Sequence, residues 1–324
     1  MPPSSNEAAA SDEIVSARPR EASKVASSNH AETWRFWGAA CFLILIIAAF
    51  GQSLFALINF AAGSDLYSYI ILVPFVSGYL LWVQRHQFAR NYVTDFGFAI
   101  GSLVAAVALL IFSYTWRLEP KALIEPERLA VLTLSFLCCV SAGGFFFFGR
   151  DWMRSAAFPL AYLIFMVPMP DSMRDALELA SKSASAEVAN VLFHLSGTPF
   201  LRQGAIFQLP NITIEVAQEC SGIRSSLVLV MTSILAANLF LKTSWRRIVL
   251  VAFVIPLGIL RNGFRILVIG LLCANIGPQM IHSPIHTRGG PLFFALSLIP
   301  FLLLLFWLHR SEARNRAKEA SSTS

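Results

Sequence analysis

Apolar runs of membrane-spanning length recur from residue 36 to residue 308, and no other feature limits the folds open to this chain so tightly. In hydrocarbon each backbone N–H and C=O needs a partner within its own segment, so such runs are read as helices. Eight spans can be drawn, at roughly 36–58, 66–83, 97–116, 129–148, 155–168, 221–241, 248–275 and 291–308. The fifth is short for a crossing. Charged residues make up only 14% of the chain, against about 25% in soluble domains, which argues against a water-soluble globule. The expected fold is an all-α polytopic membrane protein of about eight transmembrane helices.

The basic residues give an orientation. Net charge is +6, but Lys and Arg stand in short clusters between apolar runs, a pattern that orients spans and does not bind nucleic acid. The clusters are Arg85/Arg90, Arg150/Arg154, Lys242/Arg246/Arg247 and Arg310/Arg314/Arg316/Lys318. With the N-terminus inside, all four face the cytoplasm. Residues 1–33 are polar, lack an apolar h-region and read as a disordered cytoplasmic tail. Residues 34–309 form the membrane domain, and 310–324 a basic cytoplasmic tail. The loops 169–220 and 276–290 then lie outside.

The first of these loops has structure of its own. Asp171 to Leu195 repeats apolar residues at helical spacing and is expected to lie on the membrane surface. Gly197-Thr198-Pro199 ends it, and two extended runs follow, Ala205–Leu209 and Ile212–Val216, joined at Pro210-Asn211. A small extracytoplasmic hairpin therefore precedes the helix that starts near Cys220.

The five cysteines are odd in number, and four of them (Cys41, Cys138, Cys139, Cys273) lie inside apolar runs, so no disulfide framework is expected. Cys220 stands apart, among Glu219, Ser221, Gly222 and Arg224 at the start of a helix. The helix dipole and Arg224 favour its thiolate there. Arg261, Asn262 and Arg265 interrupt the seventh run. Counted from Ile248, Arg265 lies ~26 Å up the helix, at the outer level of Cys220, with Arg261 one turn deeper. Snorkelling to the headgroups is the bland alternative for Arg265. His282 and His286 sit in the outer loop before the last span. A zinc site of Cys220, His282 and His286 lacks the Glu of H-E-x-x-H, and Pro284 breaks the helical spacing; two solvated loop histidines are the other reading. No metal and no cofactor is expected. A nucleophilic Cys, a proton-carrying His and a stabilising Arg on one face form an acyl-transfer set.

Three blocks resemble the signatures of the exosortase/archaeosortase family: Glu219-Cys220-Ser221-Gly222-Ile223-Arg224-Ser225-Ser226, Asn262-Gly263-Phe264-Arg265-Ile266 and His286-Thr287-Arg288-Gly289-Gly290. Gly197–Val216 and the stretch from Leu72-Val73-Pro74 to Leu80-Leu81-Trp82 are similar to further family segments. Thr287 departs where many relatives carry an acidic residue, and Pro291 replaces a common aromatic. The resemblance implies Cys220 as nucleophile, Arg265 as stabilising arginine and His286 as proton carrier, supported by Glu219, Ser221, Gly222, Arg224, Arg261, Asn262, His282 and Gly290. It implies a membrane cysteine peptidase or transpeptidase with no cofactor. Its partners would be exported proteins ending in a Pro-containing motif, one transmembrane helix and a basic tail (the PEP-CTERM type), together with membrane lipid and an acceptor, and no nucleic acid. Two other classes compete. A transporter or flippase would bind an anionic substrate through Arg261 and Arg265 at a broken helix. A non-catalytic assembly protein for exopolysaccharide or export would use no chemistry.

Overall fold

The structure is a computed structural model that describes residues 33–89, 92–115, 125–210, 212–215, 222–277, 279–280 and 289–322. Five of its helices are long and apolar enough to cross a membrane, and a sixth crossing is obtained if one bent pair counts as a single span. The chain divides into two compact units, one of residues 1–64 and 70–168 and the other of residues 65–69 and 169–324.

In the first unit, α1 (Thr33–Ala49) and α2 (Gly51–Gly63) meet at 68°, so the expected span at 36–58 is bent in its middle. The bend falls where Gly51, a poor helix former, follows Phe50, whose ring packs edge-on to Phe136 at 5.7 Å. The expected span at 66–83 is a 3-10 turn, Ser68–Ile71, followed by α3 (Val73–Gln84), which carries Pro74 in its first turn. Together they form one apolar helix, Ser68–Gln84, of 17 residues, shorter than the five full-length spans. α4 (Phe96–Thr115) and α5 (Glu125–Phe147) are full-length and pack along each other, with the buried Ser135 hydroxyl donating to the Ala106 carbonyl at 2.9 Å. The expected span at 155–168 is again short. It consists of the end of α6 (Gly149–Ser155), then α7 (Ala157–Tyr162) and a 3-10 turn that Pro168 and Pro170 keep from continuing.

The second unit is built on α10 (Ser244–Asn275), whose 32 residues rise about 48 Å. α8 (Asp171–Ser196) ends at Gly197 in the left-handed conformation, φ 70°. Its buried face of Ala186, Ala189 and Phe193 lies against α10, where Ile266 and Leu267 join the same core. The sequence reading laid this helix on the membrane surface; the structure packs it along a span. The cause is a flat strip on α10. A Cβ on Gly263 would stand 2.5 Å from Val188 Cγ1, and one on Gly270 would stand 2.5 Å from Phe193 Cζ. Backbones approach this closely only over glycine.

A three-stranded antiparallel sheet, β1 (Leu201–Gln203), β2 (Ile206–Leu209) and β3 (Ile212–Glu215), covers the same core. β2 and β3 pair as a hairpin, and β1 is a strand the sequence pattern did not announce. Phe207 and Phe193 are both fully buried. Arg202 of β1 grips Glu187 of α8 with both guanidinium nitrogens, at 2.9 and 2.6 Å, and holds that carboxyl below its usual range.

α9 (Ile223–Phe240), α10 and α11 (Gly290–Ser322) share a second core around Leu229, Leu250, Val254 and Phe301. At the end away from Gly290, the buried Glu312 accepts the Lys242 and Thr243 amides at 3.2 and 2.9 Å and pairs with Arg316 at 2.7 Å. Arg246, expected in a loop, is buried in the first turn of α10 and donates to the Leu308 carbonyl at 3.1 Å. Residues 310–322, expected as a tail, continue α11.

The glycine strip yields a test. Gly263→Ala forces α8 off α10 and is expected to cost about 1–3 kcal/mol, as overpacking does. Gly101→Ala, with nothing within 4 Å of its Cβ, is expected to cost nothing. Thermal unfolding of both variants in detergent measures the difference.

Candidate functional site

α9 starts directly after Gly222, whose φ of +65° belongs to the left-handed region. A Cβ there would stand 2.2 Å from Asn262 Oδ1. Glycine is therefore required twice, by backbone conformation and by the side chain across from it. The Gly222 carbonyl accepts from the Ser226 amide at 2.9 Å, the Ser225 hydroxyl at 3.0 Å and Arg261 Nη2 at 3.3 Å.

Arg261 is 6% exposed and Asn262 3%. The Arg261 Nη2 also donates to Ser226 Oγ at 3.1 Å and to Asn262 Oδ1 at 3.2 Å. The guanidinium thus ties the first turn of α9 to the middle of α10. It is a strut inside the bundle, not a group reaching for solvent.

Arg265 stands one turn further along α10, half-buried, in the wall of a cavity of about 330 Å³. Gly222, Arg224, Ser225 and Val228 at the α9 start and Gly290, Pro291 and Phe294 at the α11 start complete that wall. Two guanidinium groups and the partial positive charge of the α9 N-terminus make the cavity a place where a developing negative charge is stabilised. Arg224, 54% exposed, pairs with Asp65 at 3.1 Å. Asp65 lies in the turn that precedes Ser68, within the segment Asp65–Tyr69 of this unit. Tyr67 anchors that segment by donating to the Met169 carbonyl at 3.0 Å, and burial pushes its phenol above the usual range.

Of the expected site residues, the structure brings Gly222, Arg224, Arg265 and Gly290 to one cavity and sets Arg261 and Asn262 directly behind it. Glu219, Cys220, Ser221, His282 and His286 lie outside the described residues. Both segments that carry them leave from this wall, at Gly222 on one side and Gly290 on the other. Sequence reasoning missed Ser226, although its place four residues after Gly222 was a signal for a partner in the first turn. It also missed Asp65, for which no sequence pattern exists. α10 runs unbroken through Arg261 and Arg265, where the transporter reading required a broken helix.

A family profile described as transmembrane exosortase (Exosortase_EpsH) matches residues 59–306. No curated protein and no solved structure matches the chain.

The contact at Gly222 is testable by a double-mutant cycle. Gly222→Ala carries the left-handed strain of about 1–2 kcal/mol plus the clash with Asn262. Asn262→Ala removes the clash and not the strain. The double variant is expected to be less destabilised than the sum of the two single variants, as read from melting temperatures in detergent. Strict additivity would mean that the two residues do not touch.

Proposed function

The chain belongs to the transmembrane exosortase family, and from that premise we propose that it is a membrane-embedded cysteine peptidase or transpeptidase acting on the C-terminal sorting signals of exported proteins. The observation that carries this reading is the cavity walled by Arg265, Gly222 and Gly290. Cys220 precedes Gly222 by two residues and His286 precedes Gly290 by four. At ~3.5 Å per residue, chain length allows Cys220 up to ~7 Å from Gly222 and His286 up to ~14 Å from Gly290, so both can reach the cavity that Arg265 borders.

The chemistry follows from those groups. The Cys220 thiolate, favoured by the α9 N-terminus, adds to the carbonyl carbon of the scissile peptide. Charge then collects on the carbonyl oxygen, where the Arg265 guanidinium offers fixed donors. His286 protonates the departing amine as the C–N bond breaks, leaving a thioester on Cys220. Attack by an acceptor nucleophile, or by water, releases the sorted protein and restores the thiol.

The face of the membrane is supported by charge. Lys242, Arg246, Arg247 and Arg316 gather with Glu312 at one end of α9, α10 and α11, and the cavity lies at the other end. By the positive-inside rule the basic end is cytoplasmic, so the cavity opens on the extracytoplasmic side of the plasma membrane, reached by exported substrates. The partners implied are proteins ending in a Pro-containing motif, a single transmembrane helix and a basic tail.

Two measurements test this. Alkaline phosphatase fused after residue 195 should be active and a fusion after residue 318 inactive; the reverse pattern removes the extracytoplasmic site. Cleavage of a co-expressed sorting-signal substrate should stop in Cys220→Ala and His286→Ala, persist in part in His282→Ala, and resist chelators. Arg265→Lys should lose about 100-fold or more, the loss typical of a missing oxyanion donor. Cleavage by Cys220→Ala refutes the nucleophile, and full activity in Arg265→Lys removes the stabilising role.

A further inference from the structure

A second cavity, of about 340 Å³, lies between α8, α10 and α11. Its wall includes Leu192 of α8, Leu257 and Phe264 of α10, and Phe293 and Leu296 of α11. Leu260, Leu296 and Ile299, also in the wall, are 52%, 47% and 56% exposed. Exposed apolar side chains on spans face acyl chains, so this cavity opens sideways to lipid and not to water. Only two of its described residues are polar. Ser297 is buried and its hydroxyl donates to the Phe294 carbonyl at 2.6 Å, within its own helix. The other is Arg261.

The guanidinium of Arg261 is divided between two surroundings. Nη2 and Nε point their hydrogens at Gly222, Ser226 and Asn262. Nη1 is buried and has no hydrogen-bond partner among the described residues. A cationic donor left in apolar surroundings without an acceptor is strongly unfavourable, and an anionic oxygen is the group that relieves it. A hydrocarbon chain fits the rest of the wall. We propose that this cavity binds an anionic membrane lipid, with its acyl chain among the leucines and phenylalanines and a headgroup oxygen on Arg261. A lipid fits better than an apolar helix of another protein, because such a helix would fill the cavity and leave the Arg261 donor unmatched. The site stands whether or not Cys220 is the nucleophile.

Photolabelling of the full chain in a non-ionic detergent tests it. The probe is phosphatidylglycerol carrying a diazirine in its acyl chain, and the control is diacylglycerol with the same chains and no phosphate. Phosphatidylglycerol is expected to label Leu257–Phe264 and Phe293–Pro300 about 10-fold more than the control, the gain of one charge-assisted hydrogen bond. Ser297→Phe, which fills the cavity and leaves Arg261 and its α9 contacts in place, should reduce labelling to the control level. Arg261→Gln should do the same, with helicity checked by circular dichroism for both variants. Equal labelling by the two probes overturns the proposal, as does labelling that survives either variant. Labelling lost on addition of an apolar transmembrane peptide, with no preference for phosphatidylglycerol beforehand, would assign the cavity to a helix instead.

Discussion

A guanidinium held inside an apolar helix bundle is stable only where oxygen atoms surround it. Arg261 meets that demand through Nε and Nη2, with the Gly222 carbonyl, the Ser226 hydroxyl and the Asn262 amide oxygen, and leaves Nη1 without a partner among the described residues. The rest of the second unit is arranged around this requirement. To bring the Gly222 carbonyl within 3.3 Å, α9 has to start beside Asn262, and the left-handed turn at residue 222 is what sets its direction there. To keep Arg261 away from water, α8 has to lie close on α10, and the bare backbones of Gly263 and Gly270 allow it. The block Arg261-Asn262-Gly263-Phe264-Arg265 thus carries a different contact at nearly every position: a strut, an acceptor, a close helix approach, a ring 6.3 Å from Phe293, and a cavity wall.

The opposite end of the same three helices is fastened by charge as well. Glu312 is 4% exposed and caps the start of α10 from α11, while Arg246 crosses to the Leu308 carbonyl. A buried carboxylate is tolerated because two amides, a hydroxyl and Arg316 satisfy it. With both ends fixed, the cavity has walls built by α9, α10 and α11 themselves. Such a rigid frame suits chemistry in which reacting groups must be held within a fraction of an ångström.

The long spans were legible in the sequence because hydrophobic length alone defines them. The five full-length helices start and stop within about four residues of the runs drawn from composition at all but the last, where α11 continues well past Leu308. What composition could not tell was whether a shorter run crosses. Residues 66–83 and 155–168 are apolar as well, yet they form helices of 17 and 10 residues, Ser68–Gln84 and Ala157–Met166, and Pro168 and Pro170 keep the second from continuing. The amphipathic face of α8 was visible, but not its partner. Periodicity reports that a face is buried and says nothing of whether lipid or another helix buries it. The candidate site was legible as motifs and not as roles. Arg224 read as a thiolate stabiliser, and the structure gives part of its charge to Asp65, about 160 positions earlier in the chain. Arg261 read as a second cation beside Arg265, and it is a structural tie.

That division between two arginines one turn apart has a physical basis. On the proposed mechanism, a single guanidinium could not both hold the α9 start in place and turn toward a transient oxyanion, because each donor committed to a resident oxygen would be lost to the reaction. Placing them at positions 261 and 265 puts both on one face of α10, at successive depths. The deeper one is enclosed and binds Gly222, Ser226 and Asn262; the shallower one borders the cavity. Lysine would serve neither position well. Its ammonium loses its proton readily when buried and lacks the planar fork that spans Gly222 and Asn262 at once. The guanidinium stays charged at any depth, so the deep arginine keeps its three acceptors and the shallow one keeps its field across the cavity.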